Sequence, residues 1–185
     1  SKNCAEGYDI FIKEKAVLFA QAPTGIGKTM SKIFPAVKSL GANRGQRVVY
    51  LTAKTITRTV AEESINKLKY NGLKCKTITL TAKEKICFKE KTKCNPENCE
   101  YALNYYDKVN DAIFNMIKEE DTFTREKIEE YAKKEKLCPF ELSLDLSIWC
   151  DLIICDYNYA FDPRARLKRF FEDDIDNNIL LVDEG

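Results

Sequence analysis

Apolar residues along this chain gather into short unbroken runs separated by amphipathic segments. Ala16-Val17-Leu18-Phe19-Ala20, Val48-Val49-Tyr50-Leu51, Leu152-Ile153-Ile154-Cys155 and Ile179-Leu180-Leu181-Val182 show no alternation of apolar and polar positions. Such runs suit strands covered on both faces, as in a parallel sheet. Between them the pattern predicts helices over 4–14, 28–39 and 55–68, with a Gly-containing turn at 41–45 and a second turn at Asn71-Gly72. Strands are expected at 16–20, 47–52, 151–155 and 179–183, and an alternating one at 75–80. A strand, a helix and a second parallel strand form a right-handed crossover in nearly all folds. The fold class is therefore α/β, a parallel sheet with flanking helices.

From residue 81 to about 143 this rhythm stops, and Lys-, Glu- and Cys-rich sequence takes over, with helical patterns over 101–118 and 124–136. The expected organisation is an α/β domain begun by 1–80, a small helical insertion over 81–143 lying outside the sheet, and a return to the α/β domain over 144–185. There are no internal repeats or low-complexity segments.

A chain of 185 residues is long enough for one sizeable core, and 44% hydrophobic with 32% charged residues is a globular composition. No apolar run nears the roughly 18 residues of a membrane helix, and nothing resembles a secretory signal. The eight cysteines are thus expected in a reducing compartment, the cytoplasm or a bacterial nucleoid, where clustered thiols point to metal or catalysis before disulfides. The net charge of +1 gives no global argument for nucleic acid. Locally, nine Lys/Arg stand against Glu62 and Glu63 between Lys28 and Lys69, a face that suits a phosphate backbone and equally a solvated lysine-rich surface.

Chemistry enters at Ala22-Pro23-Thr24-Gly25-Ile26-Gly27-Lys28-Thr29, which follows an expected strand and opens an expected helix. Glycines at this spacing let successive backbone N–H groups turn toward phosphate oxygens, and the helix adds its positive end. Lys28 is placed to reach the β- and γ-phosphates, and the Thr29 hydroxyl to join the shell of Mg²⁺. This loop has the spacing of the P-loop of nucleotide-binding domains and predicts a phosphate-bearing nucleotide as ligand. The strand at 179–182 delivers Asp183 and Glu184 at its end. An Asp-Glu pair also ends ordinary strands. Together with 22–29 it reads as the second half of a nucleotide site, Asp183 holding Mg²⁺ through water and Glu184 acting on the attacking water.

Four cysteines belong to the insertion: Cys87, Cys94, Cys99 and Cys138, the last followed by Pro139. Three close thiolates, one distant and a trailing proline favour an iron–sulfur cluster. Zinc also takes thiolates, and the spacing lacks the tight pairs of a zinc ribbon while admitting unliganded cysteines. Cys4, Cys75, Cys150 and Cys155 read as small hydrophobes. Tyr101, Tyr105, Tyr106, Tyr157 and Tyr159 offer stacking surfaces for bases. Tyr101 and Tyr105 share a helical face, for which packing beside the cysteines is the expected role, and Trp149 is expected in the core.

Taken with Tyr-Leu-Thr-Ala-Lys-Thr (50–55), Cys-Pro-Phe-Glu (138–141), Asp-Tyr-Asn-Tyr (156–159) and Leu-Val-Asp-Glu (181–184), these motifs resemble the XPD/DinG-type iron–sulfur DNA helicases of superfamily 2. The resemblance implies a RecA-like sheet, ATP and Mg²⁺ on Lys28, Thr29 and Asp183, a [4Fe–4S] cluster on Cys87, Cys94, Cys99 and Cys138, and an Asp183-Glu184 that begins the Asp-Glu-Ala-His box. It further implies single-stranded DNA contacts from Thr52, Ala53, Lys54 and Thr55, action at duplex junctions, and 5′→3′ polarity. Gly185 stands where the family's box has alanine. The family's second motor domain, whose arginines reach the γ-phosphate, is expected elsewhere in the protein, so the chain reads as a portion of motor domain 1 with little hydrolysis by itself. The other readings are a non-motor ATP-binding redox switch and a zinc-stabilised structural module.

Overall fold

The computed structural model describes residues 17, 19, 27–90, 94–161 and 177–183. The expected helix 4–14, Cys4, loop residues 22–26, Glu184 and Gly185 lie outside them. Of the expected strand 16–20, Val17 and Phe19 are described; both are exposed and outside regular structure. The chain forms two compact units, one from 1–74 with 151–185 and the other from 75–150, so the expected insertion falls within the second.

The first unit is built on parallel strands. β1 (Arg47–Leu51) lies between β4 (Leu152–Cys155) and β5 (Asn178–Val182), with Val48 opposite both Leu152 and Ile179 and Leu51 opposite both Cys155 and Val182. β1 from Val48 on and all of β4 are buried, as an unbroken apolar run requires of a central strand. β5 departs from that expectation. Leu181 is buried while Leu180 and Val182 stand 37% and 42% exposed, so among the described residues only one face of this strand is covered.

Two helices bracket β1 in sequence. α1 (Lys28–Gly41) carries Ile33, Ala36, Val37 and Leu40 at helical spacing, and α2 (Thr55–Tyr70) carries Ala61, Ile65 and Leu68. These pack with Val48, Tyr50, Leu152, Ile154 and Leu181 into one apolar cluster. α2 ends where the sequence places Asn71-Gly72. Gly72 has a φ of +97°, its N–H bonds the Lys69 carbonyl at 3.0 Å, and the Leu73 N–H reaches back to Leu68 at 3.0 Å. That is the paired closure in which a left-handed residue satisfies the last helical carbonyls.

The second unit is not wholly helical. β2 (Thr77–Thr79) pairs in parallel with β3 (Thr122–Phe123), Thr77 opposite Thr122 and Ile78 opposite Phe123. The insertion therefore carries a strand where helices alone were expected. Two residues are too few to show alternation. Helices α3 (Lys83–Ile86), α4 (Tyr105–Glu119), α5 (Arg125–Glu135) and α6 (Pro139–Ser147) complete the unit.

α4 begins four residues later than the expected 101 because 95–104 is spent on turns, organised by the Asn95 side chain, which accepts from the Asn98 N–H at 3.1 Å. α6 was not anticipated, although Pro139 at its first turn is a helix-start signal. Trp149 is 60% exposed in the turn after α6, contrary to its expected place in the core. A short helix α7 (Asn158–Phe161) follows β4, opened by an Asp156 carboxylate that accepts from the Asn158 N–H at 3.0 Å. No described helix is long and apolar enough to cross a membrane.

Candidate nucleotide site and cysteine group

Gly27 precedes α1 with a φ of +77°, a conformation that glycine adopts without steric cost. Its carbonyl accepts from the Ser31 N–H at 3.0 Å, so the helix starts tightly at Lys28 and Thr29. The first-turn N–H groups, which have no partner inside the helix, are presented beside the Lys28 and Thr29 side chains. This is the Gly-Lys-Thr opening that the sequence predicts; residues 22–26 lie outside the described residues.

Asp183 follows the last residue of β5 and is tied back to β1 by its N–H, which donates to the Leu51 carbonyl at 3.0 Å. Because β1 and β5 run in parallel, this carboxylate stands at the strand ends from which Thr52 also emerges. It is 7% exposed, and its Oδ1 is paired with the Lys32 ammonium from the first turns of α1. Lys32 Nζ also lies 5.8 Å from the centre of the Tyr50 ring.

The Tyr50 hydroxyl is buried in the same place without a hydrogen bond among the described residues. Its pKa is raised, first by burial and then by the adjacent Asp183 carboxylate, while the Thr29 hydroxyl beside it acts in the opposite sense. Thr29, Asp183 and Tyr50 thus converge on one point. A hydroxyl and a carboxylate are the hard oxygen donors Mg²⁺ takes. The donor set fits the cation.

Lys32 and Tyr50 escaped the sequence reading. Lys32 follows Lys28 by one helical turn, and that spacing was the available signal.

Among the expected DNA contacts, Thr52 is buried. Its hydroxyl accepts from the Lys54 N–H at 3.4 Å, shaping the turn into α2. Ala53, Lys54 and Thr55 are exposed, as is Ile56 at the start of α2.

In the second unit Cys87, Cys99 and Cys138 are partly buried and Cys94 is exposed, all as free thiols. Burial raises the Cys138 thiol, with Cys94 a smaller contribution in the same direction. The Lys83 ammonium is raised by a hydrogen bond to Cys94, with Cys138 adding to it. Cys94 and Cys138 therefore share Lys83 as a neighbour. Among the described residues no three metal-ligating side chains come together closely enough to hold a metal ion. Four thiolates are the donor chemistry an iron–sulfur cluster takes. Beside them Phe88 and Tyr101 meet edge-on at 5.0 Å, and Lys133 and Lys89 lie 5.1 and 5.7 Å from their respective ring centres. Tyr105 is buried on α4, and Tyr106 stands 85% exposed.

Comparison with known proteins agrees with this architecture. The DEAD_2 family model matches residues 50–185. The Regulator of telomere elongation helicase 1 homolog of Caenorhabditis elegans is 23% identical over 207 residues, covering 89% of this chain and 21% of that protein. The General transcription and DNA repair factor IIH helicase subunit XPD/RAD3 of Saccharomyces cerevisiae is 30% identical over 114 residues, 60% of this chain and 14% of that protein. The chain thus spans about a fifth or less of the curated relatives it matches. A solved XPD helicase superposes with a TM-score of 0.69 at 16% identity, over 99% of this chain and 31% of the other. A truncated XPD gives 0.68 at 17% identity, over 100% of this chain and 52% of the other. With its strand-end aspartate, its Gly-Lys-Thr helix start and a family match over most of its length, the chain belongs to the DEAD_2 family of XPD/DinG-type superfamily 2 helicases.

Proposed function

We propose that this chain forms part of the first motor domain of an ATP-dependent DNA helicase that moves 5′→3′ along single-stranded DNA toward duplex junctions, in the cytoplasm or at a bacterial nucleoid. The observation that supports it is the convergence of Thr29, at the start of α1, with Asp183, at the end of β5, on the buried Tyr50 hydroxyl. In this reading residues 22–29 wrap the phosphates of ATP and Lys28 neutralises their charge. Thr29 and Asp183 hold Mg²⁺, which supplies charge stabilisation at the transferred phosphoryl group. Glu184 orients the attacking water. Thr52 shapes the turn that presents Ala53, Lys54 and Thr55 to the DNA backbone.

Phosphoryl transfer rests on positioning and charge, and an arginine finger contributes about 10³–10⁵ in rate. That arginine is assigned to a second motor domain, so the 185-residue chain by itself is expected to bind nucleotide and turn it over slowly. Cys87, Cys94, Cys99 and Cys138 are the ligands of a [4Fe–4S] cluster in the same reading, and the nucleotide chemistry does not depend on them.

Titration of the chain with a fluorescent ATP analogue in the presence of Mg²⁺ tests the nucleotide site. Saturable binding that falls at least about tenfold in Lys28→Ala, the loss of one charge-assisted contact, is the expected result. Binding unaffected by Lys28→Ala, or no binding, overturns it. For the cysteines, iron and acid-labile sulfide are measured on anaerobically purified protein beside Cys138→Ser. Brown protein that loses both elements in the variant is expected, and zinc in their place would favour the structural-module reading.

A further inference from the structure

Within the nucleotide site, the Lys32–Asp183 pair is a feature that binding of Mg²⁺ does not require. Lys32 lies one turn beyond Lys28, and its stem crosses the Tyr50 ring to bring the ammonium to Asp183 Oδ1. The two side chains are only 16% and 9% exposed, so neither charge is well hydrated. Asp183 is 7% exposed, and a carboxylate so buried is stabilised by a counter-charge. With Oδ1 engaged by the ammonium, a divalent cation reaching Asp183 through the other oxygen or a water would stand beside a second positive charge and be repelled by it.

We infer that Lys32 is a built-in counter-ion that neutralises Asp183 while the nucleotide site is empty and must leave the carboxylate when Mg²⁺-nucleotide arrives, so that it raises the Mg²⁺ concentration at which nucleotide is held. The inference rests on the proposed function, because it presumes that Asp183 serves Mg²⁺. The long lysine stem makes the exchange feasible: four rotatable bonds let the ammonium swing away from Asp183 without moving α1. Lys32 is therefore a competitor of the cation for Asp183, and it neutralises the carboxylate in the empty site.

The experiment titrates Mg²⁺ at fixed fluorescent ATP analogue on the 185-residue chain, comparing wild type, Lys32→Met and Lys32→Arg. Lys32→Met keeps the apolar stem and removes the charge; Lys32→Arg keeps the charge. The half-saturating Mg²⁺ concentration is expected to fall at least about fivefold in Lys32→Met, the upper end for exposed ion pairs, because this pair is little exposed, and to stay near wild type in Lys32→Arg. The melting temperature without ligand is expected to drop in Lys32→Met and to recover toward wild type with saturating Mg²⁺-nucleotide. If Lys32→Met is too unstable to purify, Lys32→Gln, which keeps a donor but no charge, is read in the same way. An unchanged or raised Mg²⁺ requirement in a folded, nucleotide-binding variant overturns the inference and leaves the proposed function standing. Wild type that binds no nucleotide at any Mg²⁺ concentration overturns both.

Discussion

The Tyr105 hydroxyl donates to Asp145 Oδ2 at 2.8 Å, joining α4 to α6 within the cysteine-bearing unit. Tyr105 is 7% exposed, and burial followed by the Asp145 carboxylate holds its hydroxyl firmly in the protonated form. Tyr105→Phe removes a donor to a charged acceptor while preserving the ring. It is expected to lower stability by about 1–2 kcal/mol, seen as a lower urea midpoint with unchanged slope. An unaltered midpoint would mean that the bond contributes nothing net.

Tyr131 gives the unit an alkaline limit. Its hydroxyl bonds the Glu119 carboxylate, which with burial pushes its pKa up to about 12 from the ordinary 10.0. Between those values an unfolded chain has released the proton and the folded one has not. The stabilisation is thus complete below pH 10.0 and is lost as pH rises through about 12. Stability measured against pH is expected to show wild type and Tyr131→Phe converging across this window. A constant difference between them would rule the linkage out.

Three described helices close with a residue in the left-handed region, α1 on Asn43, α2 on Gly72 and α5 on Lys136, and the last two contrast most. Gly72 ends α2 without strain, whereas α5 ends on Lys136 at a φ of +53°, with Leu137 N–H bonding Ala132 at 2.9 Å. A non-glycine residue there is held against its preference. Gly72→Ala is expected to destabilise by about 1 kcal/mol and Lys136→Gly to stabilise by about 0.5–1 kcal/mol, both read by thermal unfolding. Equal and opposite signs are the essential outcome; two losses would mean that Lys136 is held by side-chain contacts.

Strand position predicts unequal costs for similar truncations. Ile154→Ala empties a site in β4 that is 1% exposed and is expected to cost about 2–5 kcal/mol. Leu180→Ala, at 37% exposure in β5, is expected to cost under about 1 kcal/mol in guanidinium unfolding. Similar losses at the two positions would show that β5 is covered by residues outside the described set.

In the first unit α1, α2, β1 and β4 were legible because each advertises one period, α1 through Ile33, Ala36, Val37 and Leu40 and β4 as an unbroken run, whereas the strand expected over 16–20 is not seen at Val17 and Phe19 and α7 is too short to show a period. The Gly-Lys-Thr helix start and the strand-end Asp183 were legible for the same reason, being short-range patterns at fixed offsets. Lys32 beside Asp183 was not. The partners lie 151 residues apart, and although Lys32 follows Lys28 by one helical turn, nothing in the sequence pairs it with Asp183. β3 is too short to carry a period, and α6 begins at a Cys-Pro step that draws the eye to metal chemistry. Trp149 was misjudged on bulk alone, since a turn that must leave α6 presents the ring to solvent.

The parallel pairing of β1 has a consequence during synthesis. Val48 finds its partner Leu152 about a hundred residues later and Ile179 later still, so at roughly 5–20 residues per second the nascent strand waits for several seconds. Throughout that wait Val48, Val49, Tyr50 and Leu51 lack both strand partners, while β2 and β3, within 77–123, can pair with each other sooner. Birth order on the ribosome therefore lets local pairing in the middle of the chain precede that of β1, which is complete only once β5 has been made.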